Sequence, residues 1–143
     1  MAIANTFRDL NVYKLATKAT AEIYDLTKAF PKEERFALTD QIRRSSRATK
    51  AMIAEAWARR RYKAVFINKI DEAPGETTET QSWLDDALQC GYVTRDQYAK
   101  LDADCRSVAA MLSRMIDRAD DFCKNAPDVD YRIREESLEE EEV

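Results

Sequence analysis

The sequence predicts an all-α protein, an antiparallel up-down-up-down four-helix bundle. Its 143 residues include only two glycines and three prolines, too few turn-forming residues for a sheet of many short strands. Apolar residues recur every three or four positions in four long segments. The links between these segments are short, so neighbouring helices should run antiparallel. The length fits one domain, which we place at residues 1–126, followed by an acidic tail at residues 127–143.

The first predicted helix extends from Asn11 to Phe30. Asn11 or Asp9 can cap its start, and Pro31 ends it because a residue before proline avoids helical backbone angles. A linker of residues 31–37 follows. The buried stripe of this helix consists of Val12, Leu15, Ala16, Ala19, Ile23, Leu26 and Phe30.

The second predicted helix begins near Thr39 or Asp40. Its apolar stripe is unusually small and polar. The stripe consists of Leu38, Ile42, Ser46, Thr49, Ile53 and Trp57.

The third predicted helix ends before Gly91, a residue typical of the position after a helix. Because proline removes one backbone donor and strains the preceding turn, we expect Pro74 and Gly75 to cause a kink, a bulge or a short break between about Asp71 and Thr77. The stripe consists of Tyr62, Phe66, Ile70, Ala73, Thr77, Thr80, Leu84, Ala87 and Leu88.

The fourth predicted helix starts at a capping box. Thr94 is followed three residues later by Gln97, and the two can satisfy each other's backbone groups. We expect one helix as far as Phe122. Its stripe consists of Tyr98, Leu101, Cys105, Val108, Leu112, Met115, Ile116, Ala119 and Phe122.

The chain after Pro127 carries eight acidic residues against two arginines and ends in EESLEEEEV. Such a composition cannot bury enough apolar surface to offset the entropy of ordering. It therefore predicts a disordered acidic C-terminal tail.

Several classes of chemistry lack the residues they need. There is no histidine, so the commonest general base and the commonest metal ligand are absent. Cys90, Cys105 and Cys123 show no CxxC spacing, and no glycine-rich phosphate-binding motif occurs. No segment has the composition of a signal peptide or a membrane span. We expect a cytoplasmic protein that is not an enzyme and has no metal, cofactor or membrane partner.

Charge is segregated along the chain. Residues 32–69 carry eleven basic and four acidic side chains, whereas residues 70–126 carry six basic and twelve acidic ones. The segregation favours a polyanion on the basic side or contact between copies of the protein. It is also consistent with a bundle whose basic and acidic helices simply pair.

The candidate nucleic-acid-binding residues are the cations of the basic span. Arg43 and Arg47 share a helix face from which Arg44 turns away by about 100°. Tyr62 is the best candidate for base stacking. We expect the other large aromatic residues near this span or in the third helix to pack in the core or in a subunit interface, namely Trp57, Phe66 and Trp83. The full candidate set is Arg43, Arg44, Arg47, Lys50, Arg59, Arg60, Arg61 and Lys63.

The chain resembles a known family along most of its length. The strings are FRDLNVYKLA from Phe7, FALTDQIRRSS from Phe36, IAEAWARRRY from Ile53, ETQSWLDDALQCGYV from Glu79 and AAMLSRMI from Ala109. They are similar to the four-helix bundle proteins of the 23S rRNA intervening-sequence family. The resemblance implies a left-handed bundle that assembles as a homopentamer. It also implies kinship with the accessory variability determinant of diversity-generating retroelements, a basic pentamer that binds a reverse transcriptase and nucleic acid.

The resemblance also bears on two glutamates. Glu55 matches the IAE motif and Glu79 matches a glutamate in the middle of the third helix. Both lie on small, semi-apolar stripes, so we expect them near the interior in structural ion pairs with arginine. The chain departs from the family pattern at Lys50 and Met52, and at the proline in the third helix.

Two functions from different classes follow. The leading hypothesis is a non-enzymatic oligomeric adaptor that offers a basic surface to RNA or DNA, or to an RNA-associated protein such as a reverse transcriptase or ribosomal component. The alternative is a scaffold that recruits a basic protein through its acidic face and tail, without nucleic acid. An enzyme ranks third because no acid, base and nucleophile set is evident.

Overall fold

The computed structural model describes residues 4–124 and residue 126, and this part of the chain is helical throughout apart from short connections. Two short 3-10 helices, Phe7–Asp9 and Lys32–Glu34, precede the first and second α-helices. The α-helices are α1 (Asn11–Thr27), α2 (Leu38–Ala58), α3 (Lys63–Gln89), α4 (Arg95–Asp117) and α5 (Ala119–Cys123). The predicted acidic tail, residues 127–143, lies outside the described residues.

The helices alternate in direction, as the short links predict. One hydrophobic cluster joins Val12 at the start of α1, Trp57 at the end of α2, Phe66 at the start of α3 and Leu112 towards the end of α4. The opposite end holds a second cluster, formed by Phe30, Leu38, Ala87 and Val93. Each long helix packs against the one before and the one after it, and α1 also packs against α4. The antiparallel four-helix bundle is confirmed.

Small hydroxyl-bearing side chains of α2 and α3 form a layer in the middle of the bundle, and the α2 side chains in it are Thr49 of the predicted stripe and Ser45, which the stripe did not include. The Ser45 and Thr80 hydroxyl oxygens lie 2.8 Å apart, and those of Thr49 and Thr77 lie 3.3 Å apart. The Thr77 hydroxyl also donates to the Ala73 carbonyl at 3.1 Å. Because these buried hydroxyls have partners, small side chains can bring α2 and α3 together without a desolvation penalty.

Both ends of the link between α3 and α4 follow the sequence signals. The Gly91 N–H donates to the Leu88 carbonyl at 3.0 Å and the Tyr92 N–H to the Ala87 carbonyl at 2.9 Å. This is a Schellman motif, and it needs the left-handed φ of 76° that Gly91 adopts. The predicted capping box at Thr94 and Gln97 is present, with bonds of 2.9 and 3.1 Å.

The start of α1 differs from the prediction. Neither Asn11 nor Asp9 caps it: Asn11 is its first residue, and its N-cap, Leu10, has no side-chain bond. Asp9 instead completes a capping box with Thr6 at the preceding 3-10 helix. The helix ends at Thr27, before Pro31, and the following turns of chain carry Phe30 into the core.

Pro74 does not interrupt α3. Of the kink, bulge or break expected there, a break is ruled out, because helical backbone continues from Lys63 to Gln89. Pro74 is half-buried and Gly75 is exposed. Packing of Ala73 and Thr77 against neighbouring helices holds this turn helical although one backbone donor is missing. A kink stays a prediction.

The prediction of one continuous fourth helix was wrong. The chain leaves helical geometry at Arg118, which has φ −105° and ψ 24°, and α5 starts afresh at Ala119. The turn allows α5 to pack against α3, where the rings of Phe122 and Phe66 stack with centroids 6.0 Å apart. Neither glycine nor proline marks the position, so periodicity could not show it.

Candidate nucleic-acid interface

Seven of the eight predicted cations lie in two clusters, and Lys50 lies outside both. Arg43, Arg44 and Arg47 line an open groove beside α2, which we call the arginine groove. Arg59, Arg60, Arg61 and Lys63 surround the connection from α2 to α3, which we call the basic loop. The twelve helical steps from residue 47 to residue 59 span about 18 Å. The sequence grouping therefore corresponds to two separate basic surfaces.

The arginine groove has a volume of about 550 Å³. Thr39 and Asp40 line it from the first turn of α2, and two alanines form part of its wall. The aromatic side chain in its lining is that of Phe36, which is 84% exposed. The lining consists of Arg35, Phe36, Thr39, Asp40, Arg43, Arg44, Arg47, Ala48 and Ala51.

Two of the groove's arginines rest on one tyrosine of α1. The guanidinium carbons of Arg43 and Arg47 lie 4.6 and 5.7 Å from the centre of the Tyr24 ring. Arg43 also donates from Nε to the Thr27 hydroxyl at 2.8 Å. Tyr24 thus orients both guanidinium groups from the neighbouring helix.

The other cations near the groove have different partners. Arg44 lies 4.0 Å from Asp40 in an exposed i,i+4 pair, a type worth about 0.3–0.5 kcal/mol. The Lys50 ammonium lies 5.5 Å from the centre of the Tyr13 ring. Arg44 therefore turns away from the Tyr24 face, as the helical spacing predicts.

In the basic loop, Arg60 covers Trp57. Its guanidinium lies 3.8 Å from the indole and donates to the Trp57 carbonyl at 2.9 Å. Burial lowers the pKa of Arg60, yet arginine stays protonated near neutral pH. Tyr62 is 48% exposed and lies beneath the Arg61 guanidinium at 5.1 Å. Tyr62 thus keeps the accessibility expected of a stacking candidate, whereas Trp57 belongs to the core.

Two loop cations pair with carboxylates instead. Lys63 lies 2.6 Å from Asp120, and this hydrogen bond raises the pKa of Lys63. Arg59 lies 3.8 Å from Glu55. These carboxylates offset part of the loop's positive charge.

Aromatic partners and carboxylate partners have different consequences for the surface. A carboxylate cancels the charge of the cation it holds, whereas an aromatic ring orients the cation and leaves its charge in place. Five of the eight predicted cations rest on a ring, namely Arg43, Arg47, Lys50, Arg60 and Arg61. The two clusters therefore present positive charge that is oriented but only partly neutralised.

The expectation for the two glutamates was wrong in part. Glu55 is exposed, not near the interior, and it lies 3.6 Å from Lys69 as well as beside Arg59. Glu79 is half-buried, but its hydrogen-bond donor in the described residues is the Trp83 indole, at 3.2 Å, and not an arginine. Helical spacing put both on α-helix faces correctly but could not identify their partners.

Three contributors to the groove were missed by the sequence reasoning. Phe36 and Arg35 lie in the link before α2, and Tyr24 lies off the apolar stripe of α1. The available signal was an aromatic residue without a place in a helical stripe, which in the case of Phe36 also directly follows a basic residue, Arg35. Phe66 and Trp57 are buried as predicted, and Trp83 is half-buried.

The acidic residues of α3 and α4 are mostly engaged with neighbours. Asp85 accepts a bond from the Tyr98 hydroxyl at 2.6 Å, and Asp102 accepts one from Gln81 at 3.0 Å. Within residues 4–124 and 126, no group of three Cys, Asp or Glu side chains could hold a metal ion. The same residues contain no helix with the length and apolar character needed to cross a membrane.

The cysteines are free and differ in environment. Cys105 is buried, and burial raises the pKa of its thiol to about 12. Cys123 is half-buried, whereas Cys90 is exposed.

Comparison with protein families identifies the chain's kinship. The profile of the 23S rRNA-intervening sequence proteins matches residues 8–114, about three quarters of the chain. The chain belongs to this family. The matched range includes both the arginine groove and the basic loop. No curated protein matches the chain significantly.

A solved structure shows the same fold. It is a crystal structure from Bacteroides thetaiotaomicron VPI-5482, described as a protein of unknown function from the S23 ribosomal protein family. It is 31% identical to the present chain, covers 74% of it and is itself covered to 95%, with a TM-score of 0.67. The family and this relative carry no enzymatic description.

Proposed function

We propose that this protein is a non-enzymatic adaptor that assembles as a homopentamer and offers a basic surface to RNA. In this proposal the RNA is bound alone or together with an RNA-associated protein such as a reverse transcriptase or ribosomal component. The observation that carries the proposal is the placement of four cations, Arg43, Arg47, Lys50 and Arg60, on aromatic rings that orient them and leave their charge in place.

Repetition in a ring would strengthen such a surface. Contacts with phosphates are weak one by one and carry no sequence information. Several copies of the same groove held by one assembly increase the overall affinity without any new type of contact. The adaptor should therefore bind RNA with little sequence preference and with a steep dependence on salt.

The proposal is tested by measuring how charge-reversed variants of the full chain bind RNA. Arg44→Glu with Arg47→Glu should lower the affinity for RNA at least tenfold at about 50 mM salt, because two of the groove's cations become anions. The matched control, Arg95→Glu with Arg106→Glu, changes the net charge equally on exposed positions of α4 and should change affinity less than threefold. Fluorescence anisotropy with a labelled oligonucleotide measures both.

A second pair of proteins tests the tail and the loop. To test whether RNA binding depends on the basic loop, Arg59 and Arg61 are replaced by glutamate, while Arg60, which packs on Trp57, is kept to preserve the core.

To test the tail, the chain is ended at residue 126. This shortened chain should bind RNA more tightly than the full chain, because eight acidic residues no longer compete for the cations. If neither the full chain nor the shortened one binds RNA at low salt, the protein scaffold with a basic partner replaces the adaptor.

A further inference from the structure

We propose that the arginine groove is a site for single-stranded RNA in which an unpaired base stacks on Phe36. This inference rests on the proposed function and deepens it, since it assigns the form of the RNA and the side chain that holds the base.

The first step is the exposure of Phe36. Burying a phenylalanine side chain is favourable because it removes a large apolar surface from water, and the chain buries Phe66 and Phe122. Phe36 nevertheless remains 84% exposed at the mouth of the arginine groove. A ring in this position keeps an apolar face open to a partner.

The second step is that the backbone on both sides of Phe36 is held in place. The Arg35 N–H donates to the Lys32 carbonyl at 3.1 Å and the Ala37 N–H to the Glu34 carbonyl at 3.0 Å. Leu38, two residues later, is buried in the core. The backbone that carries the ring is therefore held in place before a ligand arrives, which lowers the entropy cost of stacking.

The third step is the charge around the ring. The Arg35 guanidinium lies 5.2 Å from the centre of the Phe36 ring, and Arg43, Arg44 and Arg47 line the same groove. Asp40 is the one carboxylate in that lining, against four arginines. Ala48 and Ala51 are small and leave room above α2. The groove's volume of about 550 Å³ is within the usual range for ligand sites.

These features together favour a single strand. A phosphate chain satisfies the arginines, and an unpaired base supplies the flat π-face that the phenylalanine ring takes up. In a duplex the base faces are stacked inside the helix and cannot reach a protein ring. An acidic peptide would meet the charges but would leave the ring without a flat partner.

The test compares a labelled single-stranded oligoadenylate with a duplex RNA of equal length, using the full chain at low salt. Phe36→Ala should weaken single-strand binding about 5- to 100-fold, the range for loss of one base–aromatic contact, and should change duplex binding less than twofold. Phe36→Trp should restore the affinity, and its additional fluorescence should be quenched by the oligonucleotide. Phe36→Leu is the matched control: it keeps an apolar side chain at the same position but has no flat ring, so it should bind the single strand as weakly as Phe36→Ala.

Three results would overturn the inference. In the first, Phe36→Ala leaves single-strand binding unchanged while the Arg44 and Arg47 reversal still removes it, so the adaptor stands without the stacking site. In the second, Phe36→Ala weakens single-strand and duplex binding alike and lowers the particle mass in mass photometry, so the ring is a contact between copies. In the third, the unaltered protein binds no RNA, and the proposed function fails as well.

Discussion

At the scale of single residues, the partner of each charged group decides what that group can do. Arg43 and Arg47 rest on the Tyr24 ring and keep their charge, whereas Lys63 is held by Asp120. One carboxylate, that of Glu76, has a neighbour of like charge instead. Glu76 is half-buried next to Glu79, and burial followed by the charge and hydrogen bond of that neighbour raises the pKa of Glu76.

This raised pKa predicts a pH-dependent effect of Glu76→Gln. A carboxyl whose pKa is higher in the folded state than the ordinary 4.5 loses stabilisation as pH rises through that range, because the folded state resists its ionisation. The variant should therefore be more stable than the parent at pH 7, by about 0.2–1 kcal/mol, the magnitude typical of charge pairs at a protein surface. The difference should vanish below about pH 4.

Thermal unfolding followed by circular dichroism at several pH values measures this effect. Glu72→Gln is the control, since Glu72 lies 3.5 Å from Lys69 and should lose a favourable pair instead. An equal gain in both variants would assign the effect to net charge and contradict the role of Glu79.

At the scale of helices, caps and packing decide where elements end. Thr94 with Gln97 and Gly91 give local signals that the structure follows. The turn at Arg118 has no such signal and serves to bring Phe122 onto Phe66. Pro74 shows the reverse case, a strong local signal that packing overrides.

The two glycines predict opposite effects of substitution by alanine. Gly75 lies inside α3, and a Cβ there would meet no atom within 4 Å, so Gly75→Ala should stabilise by about 0.5–1 kcal/mol through helix propensity. Gly91 has a φ of 76°, so Gly91→Ala should destabilise by about 1–2 kcal/mol. Denaturant unfolding at one protein concentration checks both. A loss of stability in Gly75→Ala would mean that this turn of α3 depends on glycine for a kink at Pro74.

At the scale of the whole molecule, charge and exposed rings suggest how copies meet. Residues 32–69, which include α2 and the basic loop, are mostly basic, whereas residues 70–126, which include most of α3 and all of α4, are mostly acidic. Trp57 is buried within one copy, so of the two places predicted for it, the core and a subunit interface, it occupies the core. Tyr24, Phe36 and Tyr62 are the large exposed rings among the described residues.

We expect a homo-oligomer, a ring of five copies, at micromolar concentration. Mass photometry or sedimentation should then give a particle five times the monomer mass of 16.5 kDa. A dimer would leave the fold intact and remove the pentamer, and a monomer alone would contradict oligomerisation altogether. A matched measurement at high salt separates contacts between charged faces from contacts between rings, because salt weakens the first kind.

The sequence by itself determined the four long helices, their antiparallel order and the link between α3 and α4. These features depend on periodicity and on residues such as Gly91 and Thr94, whose backbone preferences act locally. It also showed that the basic residues are concentrated in residues 32–69. Each of these properties follows from neighbours within a few positions.

Only the tertiary structure decided which cations keep their charge and where they gather. Tyr24 lies under Arg43 and Arg47 because α1 and α2 pack side by side, and Phe36, in the link before α2, remains exposed. A helical pattern states which face a residue occupies, but it does not state which side chain of another helix lies opposite. The arginine groove depends on such contacts between side chains of neighbouring helices, and only the packed bundle shows them.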